Sequence, residues 1–137
     1  MKRPRSGSSP FKGTVGGGAE KNYDTMPPIF SFEKMQNGTG FSVDCCDDAE
    51  RSAFVKRLFY LSKTIWREIR NAPRHGIGTE KIDRKSLKVA LPNNIPEDTA
   101  ILALRYNGKK PMIGYRLDRT FYVLFLDFSF GAYNHGS

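Results

Sequence analysis

Residues 101–135 read ILALRYNGKKPMIGYRLDRTFYVLFLDFSFGAYNH, and the reading of this stretch decides the fold. It holds three apolar, β-favouring runs: Ile101 to Tyr106, Met112 to Leu117 and Thr120 to Phe128. Asn107-Gly108, followed by Lys109-Lys110-Pro111, is a hairpin signal, because Asn-Gly readily adopts the positive φ of a tight turn. Leu117-Asp118-Arg119 leaves room only for a second antiparallel return. The stretch therefore predicts a three-stranded meander. Period-2 alternation puts Ile101, Ala103 and Arg105 on one face of its first strand and Leu102, Leu104 and Tyr106 on the other. The third run, FYVLFLDF, is apolar on both faces, which predicts a central strand covered on both sides.

Upstream of the meander the period changes. Phe54, Leu58, Leu61, Ile65 and Ile69 recur at spacings of four, three, four and four, with Val55, Phe59 and Trp66 widening the stripe. That is a helix. Asp47 occupies its N-cap position with Glu50 three residues on, in the manner of a capping box, and Pro73 and Gly76 stop it. Ile29 to Glu33 alternates around Phe30 and Phe32 and reads as a short first strand. Gln36 to Gly40 is a turn. Ser86 to Leu91 reads equally as a short strand or as a helical turn ended by Pro92. The expected fold is α+β: an N-terminal strand and helices on one face of a mostly antiparallel sheet that ends in the meander.

Residues 1–25 are rich in Gly, Ser and basic residues and poor in aliphatics, so they bury too little surface to offset their ordering entropy. They read as a disordered basic tail, with 26–137 as one domain. The chain has 137 residues and a formal net charge of +8, a balance that favours a polyanionic partner. Its two cysteines, Cys45 and Cys46, are adjacent and give no disulfide framework, which suits a reducing cytoplasm. No run of about 18 apolar residues is present to span a membrane, and the basic N-terminus lacks the apolar core of a secretory signal.

Charge is unevenly placed. The first part of the helix region carries Asp44, Asp47, Asp48 and Glu50, and its later part Arg51, Lys56, Arg57, Lys63, Arg67, Arg70 and Arg74. Acid first and base last complements the helix dipole. So many bases equally describe a face that tracks phosphates. A second basic segment follows at Lys81, Arg84, Lys85 and Lys88, and Lys109 sits in the hairpin turn.

Several chemistries lack their residues. Adjacent cysteines do not offer the gap that zinc chelation prefers, even with His75 and His135 elsewhere. Gly16-Gly17-Gly18 lies in the tail with no strand before it, so it is no phosphate loop. Metal-free phosphodiester cleavage fits better. Attack by an RNA 2′-hydroxyl needs a base for that proton, an acid for the leaving 5′-oxygen and cations for the phosphorane oxygens. Arg105, Arg116 and Arg119 offer guanidinium forks that match phosphate oxygens. Glu80 and Lys81 precede the meander, and Tyr133 and His135 follow it. The structural alternatives are equally concrete: Arg116 paired with Asp118 or Asp127, and Tyr115, Phe121 and Tyr122 as core or cross-strand residues.

The order of strand, long helical region, basic loop and meander, with an arginine on each of two strands and a tyrosine–histidine end, resembles the RelE/YoeB-like toxins over roughly residues 29–135. These are small bacterial endoribonucleases that cut mRNA on the ribosome. The resemblance implies Arg105 and Arg116 as phosphate-stabilising residues, Tyr133 and His135 as acid or base, and Glu80 as the acidic base some members carry. It implies an RNA face drawn from Lys81, Arg84, Lys85, Lys88, Lys109 and Arg119. It further implies an mRNA and ribosome substrate, a protein antitoxin as partner, a cytoplasmic setting, and no cofactor or metal. The alternative on the same scaffold is a non-catalytic nucleic-acid-binding or regulatory domain. A third is an interaction module whose sheet edge takes a partner strand.

Overall fold

The computed structural model describes residues 22–72 and 79–133. Its centre is a five-stranded sheet. In chain order the elements are β1 (Ile29–Ser31), α1 (Asp48–Leu61), α2 (Trp66–Asn71), β2 (Thr79–Ile82), β3 (Ile101–Asn107), β4 (Lys110–Leu117) and β5 (Thr120–Leu126). Across the sheet they run β1-β5-β4-β3-β2. β1 lies parallel to β5, and every other pairing is antiparallel.

The meander forms as its turns dictate. Asn107 pairs with Lys110 and Leu117 with Thr120, so each hairpin closes through two residues. The positive φ values fall on Gly108 at 59° and Asp118 at 58°. Glycine takes that region freely and aspartate tolerates it. β5 is a central strand, as its two apolar faces predict, but it is not a regular one. Ile113 pairs with Phe125 while Gly114 pairs with Val123, which leaves Leu124 as the extra residue of a bulge. The bulge lets Leu124 and Phe125, consecutive in sequence, enter the same core.

Two cores flank the sheet. On one face Phe54 and Leu61 of α1 and Trp66 and Ile69 of α2 pack on Leu104, Tyr106, Met112, Phe121, Val123 and Leu126. On the other, Ile82, Ile101, Ala103, Ile113, Tyr115, Leu124 and Phe125 are covered by Leu87, Val89, Leu91 and Ile95 of the 83–99 segment and by Ala132 and Tyr133. Both helices therefore sit on one face, and an irregular strap covers the other.

Four local expectations change. The single long helix is two, broken at residues 62–65. There the hydroxyls of Ser62 and Thr64 bond back to the carbonyls of Leu58 and Tyr60 (2.6 and 3.1 Å), competing with the helical ladder. The capping box is half made: Asp47 accepts from the Glu50 amide at 2.8 Å, but the Glu50 side chain turns inward. Thr79–Ile82, read as part of a basic loop, is an edge strand paired with β3. The tail also ends earlier than its composition indicates. Residues Tyr23–Thr25 form a 3-10 turn capped by Asn22, and Asp24 accepts hydrogen bonds from Arg70 and Arg116, so this turn is fastened to α2 and the sheet. The rest of the expected tail, residues 1–21, lies outside the described residues, as do His75 and His135. Between Ser86 and Leu91 a 3-10 turn at Arg84–Ser86 leads to a single bridge from Leu87 to Tyr133. Among the described residues no helix is long and apolar enough to cross a membrane.

Candidate functional site

The register decides which predicted residues can meet. Directly paired residues of an antiparallel ladder share a face. Leu104 pairs with Met112 and Arg116 with Phe121, all on the helix face. Arg105 pairs with Pro111 on the opposite face, in step with Ala103 and Ile101. Arg105 and Arg116 therefore point to opposite sides of the sheet. They are also five residues apart along β4 through the Pro111 pairing, or about 16 Å of strand. One phosphate cannot be held by both.

Arg116 is occupied. Its Cζ lies 4.3 Å from the centroid of the Trp66 indole, its Nη2 donates to Asp24 Oδ1 at 2.8 Å, and its Nε donates to the Asp118 carbonyl at 2.6 Å. The acidic partner is Asp24, not Asp118 or Asp127. Hydrogen bonds from Arg116 and Arg70 hold the Asp24 carboxyl below its usual range. Arg119 is likewise structural: its Nε donates to the Pro27 carbonyl at 3.0 Å, and its own carbonyl accepts from Trp66 Nε1 at 2.9 Å and the Ile29 amide at 3.0 Å. Arg84 ties the strap together by donating to the carbonyls of Pro96 and Thr99.

Arg105 differs. It is half-buried, and its guanidinium makes no hydrogen bond or ion pair among the described residues. Glu80, paired with Ala103, stands on the same face two residues along the strand from Arg105. On the other side of Arg105, Pro111 accepts from the Asp127 amide at 2.9 Å, so Arg105, Pro111 and Asp127 form one row across the sheet. Asp127 is fully buried, and its Oδ1 accepts from the amides of Gly131 (2.7 Å) and Ala132 (3.0 Å). That clamp reverses the chain after β5. Lys88 N then donates to the Ala132 carbonyl at 2.7 Å and Leu87 bridges Tyr133, so Tyr133 enters the second core at 5% exposure.

The face away from the helices thus carries Arg105, Glu80, Asp127 and Tyr133, while His135 lies outside the described residues. Lys81, Lys85, Lys88 and Lys109 are all exposed, Lys81 on the edge strand and Lys109 in the hairpin turn. Tyr115 and Tyr122 are a stacked cross-strand pair, with centroids 4.8 Å apart and planes at 13°. Burial pushes the Tyr115 phenol up. Phe121 is core.

Sequence reasoning missed a second polar centre. Glu50, on the first turn of α1, is buried and accepts from Tyr106 Oη at 3.0 Å, Asn107 Nδ2 at 3.2 Å and Lys110 Nζ. Burial pushes its carboxyl up, but these three donors outweigh burial and hold it below its usual value. Tyr106 is raised, by burial first and then by Glu50. The signal for this centre was an acid on the buried arc of the helix stripe, four residues before Phe54. Among the described residues no three His, Cys, Asp or Glu side chains are grouped to hold a metal ion.

Comparison of the chain with models of known protein families, with curated proteins and with solved structures gave no match in any of the three.

Proposed function

We propose that the chain is a metal-independent endoribonuclease of the toxin type, acting on mRNA at the ribosome and restrained by a protein antitoxin. The observation that carries this reading is Arg105: an arginine with no hydrogen bond or ion pair among the described residues, on the same sheet face as Glu80 and on the face to which the Asp127 clamp returns Tyr133. In the reaction Arg105 holds two phosphate oxygens and stabilises their growing charge. Glu80 takes the proton of the attacking 2′-hydroxyl. His135 delivers a proton to the leaving 5′-oxygen, a role assigned from sequence alone. Tyr133 anchors the segment that carries it. Arg116 is left out of the chemistry, because Asp24 and Trp66 engage it on the other face.

A non-catalytic RNA-binding domain is the second reading, favoured by four exposed lysines at Lys81, Lys85, Lys88 and Lys109. RNA 5′-end mapping in a bacterial cell-free translation reaction separates the two. New mRNA ends with wild type, absent with Arg105→Ala and with His135→Ala, support the nuclease. No new ends with wild type, while RNA is still retarded in a gel, leave the binding domain. Ends that persist with Arg105→Ala overturn the site.

A further inference from the structure

A cavity of about 340 Å³ opens at the end of the sheet far from Arg105. It is lined by Tyr115 and Tyr122 from the sheet, Asn94 and Thr99 from the strap, and Glu33 and Lys34 just after β1. Tyr115 is four residues along β4 from Pro111, the partner of Arg105, which is about 13 Å of strand. The cavity is therefore separate from the row through Arg105, Pro111 and Asp127.

Its polar groups are uncommitted. Tyr115 is 7% exposed, yet neither its hydroxyl nor that of Tyr122 makes a hydrogen bond among the described residues. A buried phenol ordinarily has a partner for its hydroxyl, so one without a protein partner on a cavity wall is left for what enters the cavity. Its surroundings are polar: after burial, the Tyr122 phenol and the Glu33 carboxylate push the Tyr115 phenol further up. The side chains of Glu33, Lys34, Asn94 and Thr99 likewise make no hydrogen bond or ion pair among the described residues. The strap side of the cavity is held in place, because Arg84 donates to the carbonyls of Pro96 and Thr99.

The tyrosine wall selects a flat ligand. The two rings stack with centroids 4.8 Å apart and planes at 13°. That separation is the spacing of neighbouring strands, so the rings stand in a column across β4 and β5. The next position in the column is Ser31 of β1, paired with Tyr122, which has no ring to offer. A planar heterocycle laid against Tyr122 on that side continues the column. Its edge then meets the Asn94 amide, which both donates and accepts, the free hydroxyls, and the Glu33 carboxylate, which accepts from an exocyclic amine. Proteins read an unpaired base in this way, with an aromatic side chain for its face and amides, carboxylates and hydroxyls for its edge. Lys34 adds a cation for the attached phosphate. Ligand cavities run from about 300 to 1,000 Å³, so this one takes a single nucleotide.

We infer that this cavity binds one unpaired nucleotide whose base carries an exocyclic amine, with the base on Tyr122, its edge on Asn94 and Glu33, and its phosphate on Lys34. The site stands on its own residues and does not depend on cleavage at Arg105.

Two-dimensional amide NMR of the isotopically labelled full chain, titrated with adenosine monophosphate, uridine monophosphate, adenosine and ribose 5-phosphate, tests it. Adenosine monophosphate shifts the resonances of the cavity residues and binds tighter than uridine monophosphate. Asn94→Ala and Glu33→Gln, both at exposed positions, each weaken it about fivefold or more. Lys34→Ala weakens the monophosphate and leaves adenosine unchanged. An oligoadenylate that binds clearly tighter than the monophosphate marks single-stranded RNA as the source of the base, and equal affinity marks a free nucleotide. Cavity resonances that no nucleotide moves overturn the inference. So do ribose 5-phosphate or uridine monophosphate binding as tightly as adenosine monophosphate, or an Asn94→Ala chain of unchanged affinity.

Discussion

The Asp24 carboxylate and the Arg116 guanidinium meet at 2.8 Å from opposite ends of the described chain, with the Trp66 ring beneath the arginine. This contact fastens the segment before β1 to the sheet and to α2. Replacing Arg116 with Ala removes a charge-assisted hydrogen bond and a cation–π contact, and is expected to cost about 2–3 kcal/mol in urea unfolding. Lysine keeps the charge but not the planar fork, and recovers only part of that. Arg105→Ala is expected to shift stability by no more than about 0.5 kcal/mol, because its head group holds nothing among the described residues. The two arginines thus separate: one mutant loses stability, the other cleavage.

Acid should loosen the fold through two carboxyls. Asp24 and Glu50 are both held below their usual values in the folded chain. A depressed folded-state pKa gives stabilisation that is complete above the unfolded value and is lost as pH falls through the folded one. Stability measured by urea titration should therefore be level near neutrality and fall below about pH 4. Glu50→Gln should flatten part of that fall, and at pH 7 should cost about 1–3 kcal/mol by removing the charge and replacing the oxygen that accepts from Lys110 with an amide nitrogen that cannot accept.

Gly114 is fixed by contact rather than by φ. A Cβ built there would stand 1.9 Å from the Tyr122 carbonyl oxygen, opposite the bulge in β5. Backbone cannot yield that distance without breaking the β4–β5 ladder. Gly114→Ala should fail to give a cooperative unfolding transition, whereas alanine at Gly131, whose nearest neighbour would be 3.5 Å away, should fold.

Lysine pairing with phosphate is read by salt. Changing Lys81, Lys85, Lys88 and Lys109 together to alanine should weaken RNA binding across all sequences. With single-stranded RNA, the slope of log affinity against log salt should shrink by about 0.7 for each phosphate that no longer has a lysine beside it. Alanine at Arg84 or Arg119 should instead show in stability, because these side chains hold backbone carbonyls of the strap and of the segment before β1.

The meander, both hairpin turns, the Asp47 cap and the two-sided burial of β5 were legible because each rests on local chemistry: turn residues, an N-cap and a run of apolar side chains. What escaped depended on partners far away in sequence. Nothing near Arg116 announces Asp24, ninety-two residues earlier. Glu50 looks like half of a capping box until Tyr106, Asn107 and Lys110 are seen to need an acceptor. The parity of Arg105 was readable within β3. That Arg116 faces the other way follows only from the register of β4 against β3. The helix break at 62–65 was masked by an apolar stripe that keeps its spacing through Ile65 and Ile69.

β1 takes its place beside β5, the last strand of the sheet, in parallel and through only three residue pairs. Until Thr120–Leu126 has been synthesised, Ile29–Ser31 has no neighbour to join, and the Arg119 carbonyl that receives both Ile29 and Trp66 does not yet exist. The earliest of these five strands is thus the one that must wait longest. A nascent chain can close its helices and its first hairpin during translation, but the sheet is sealed late, by a contact between beginning and end.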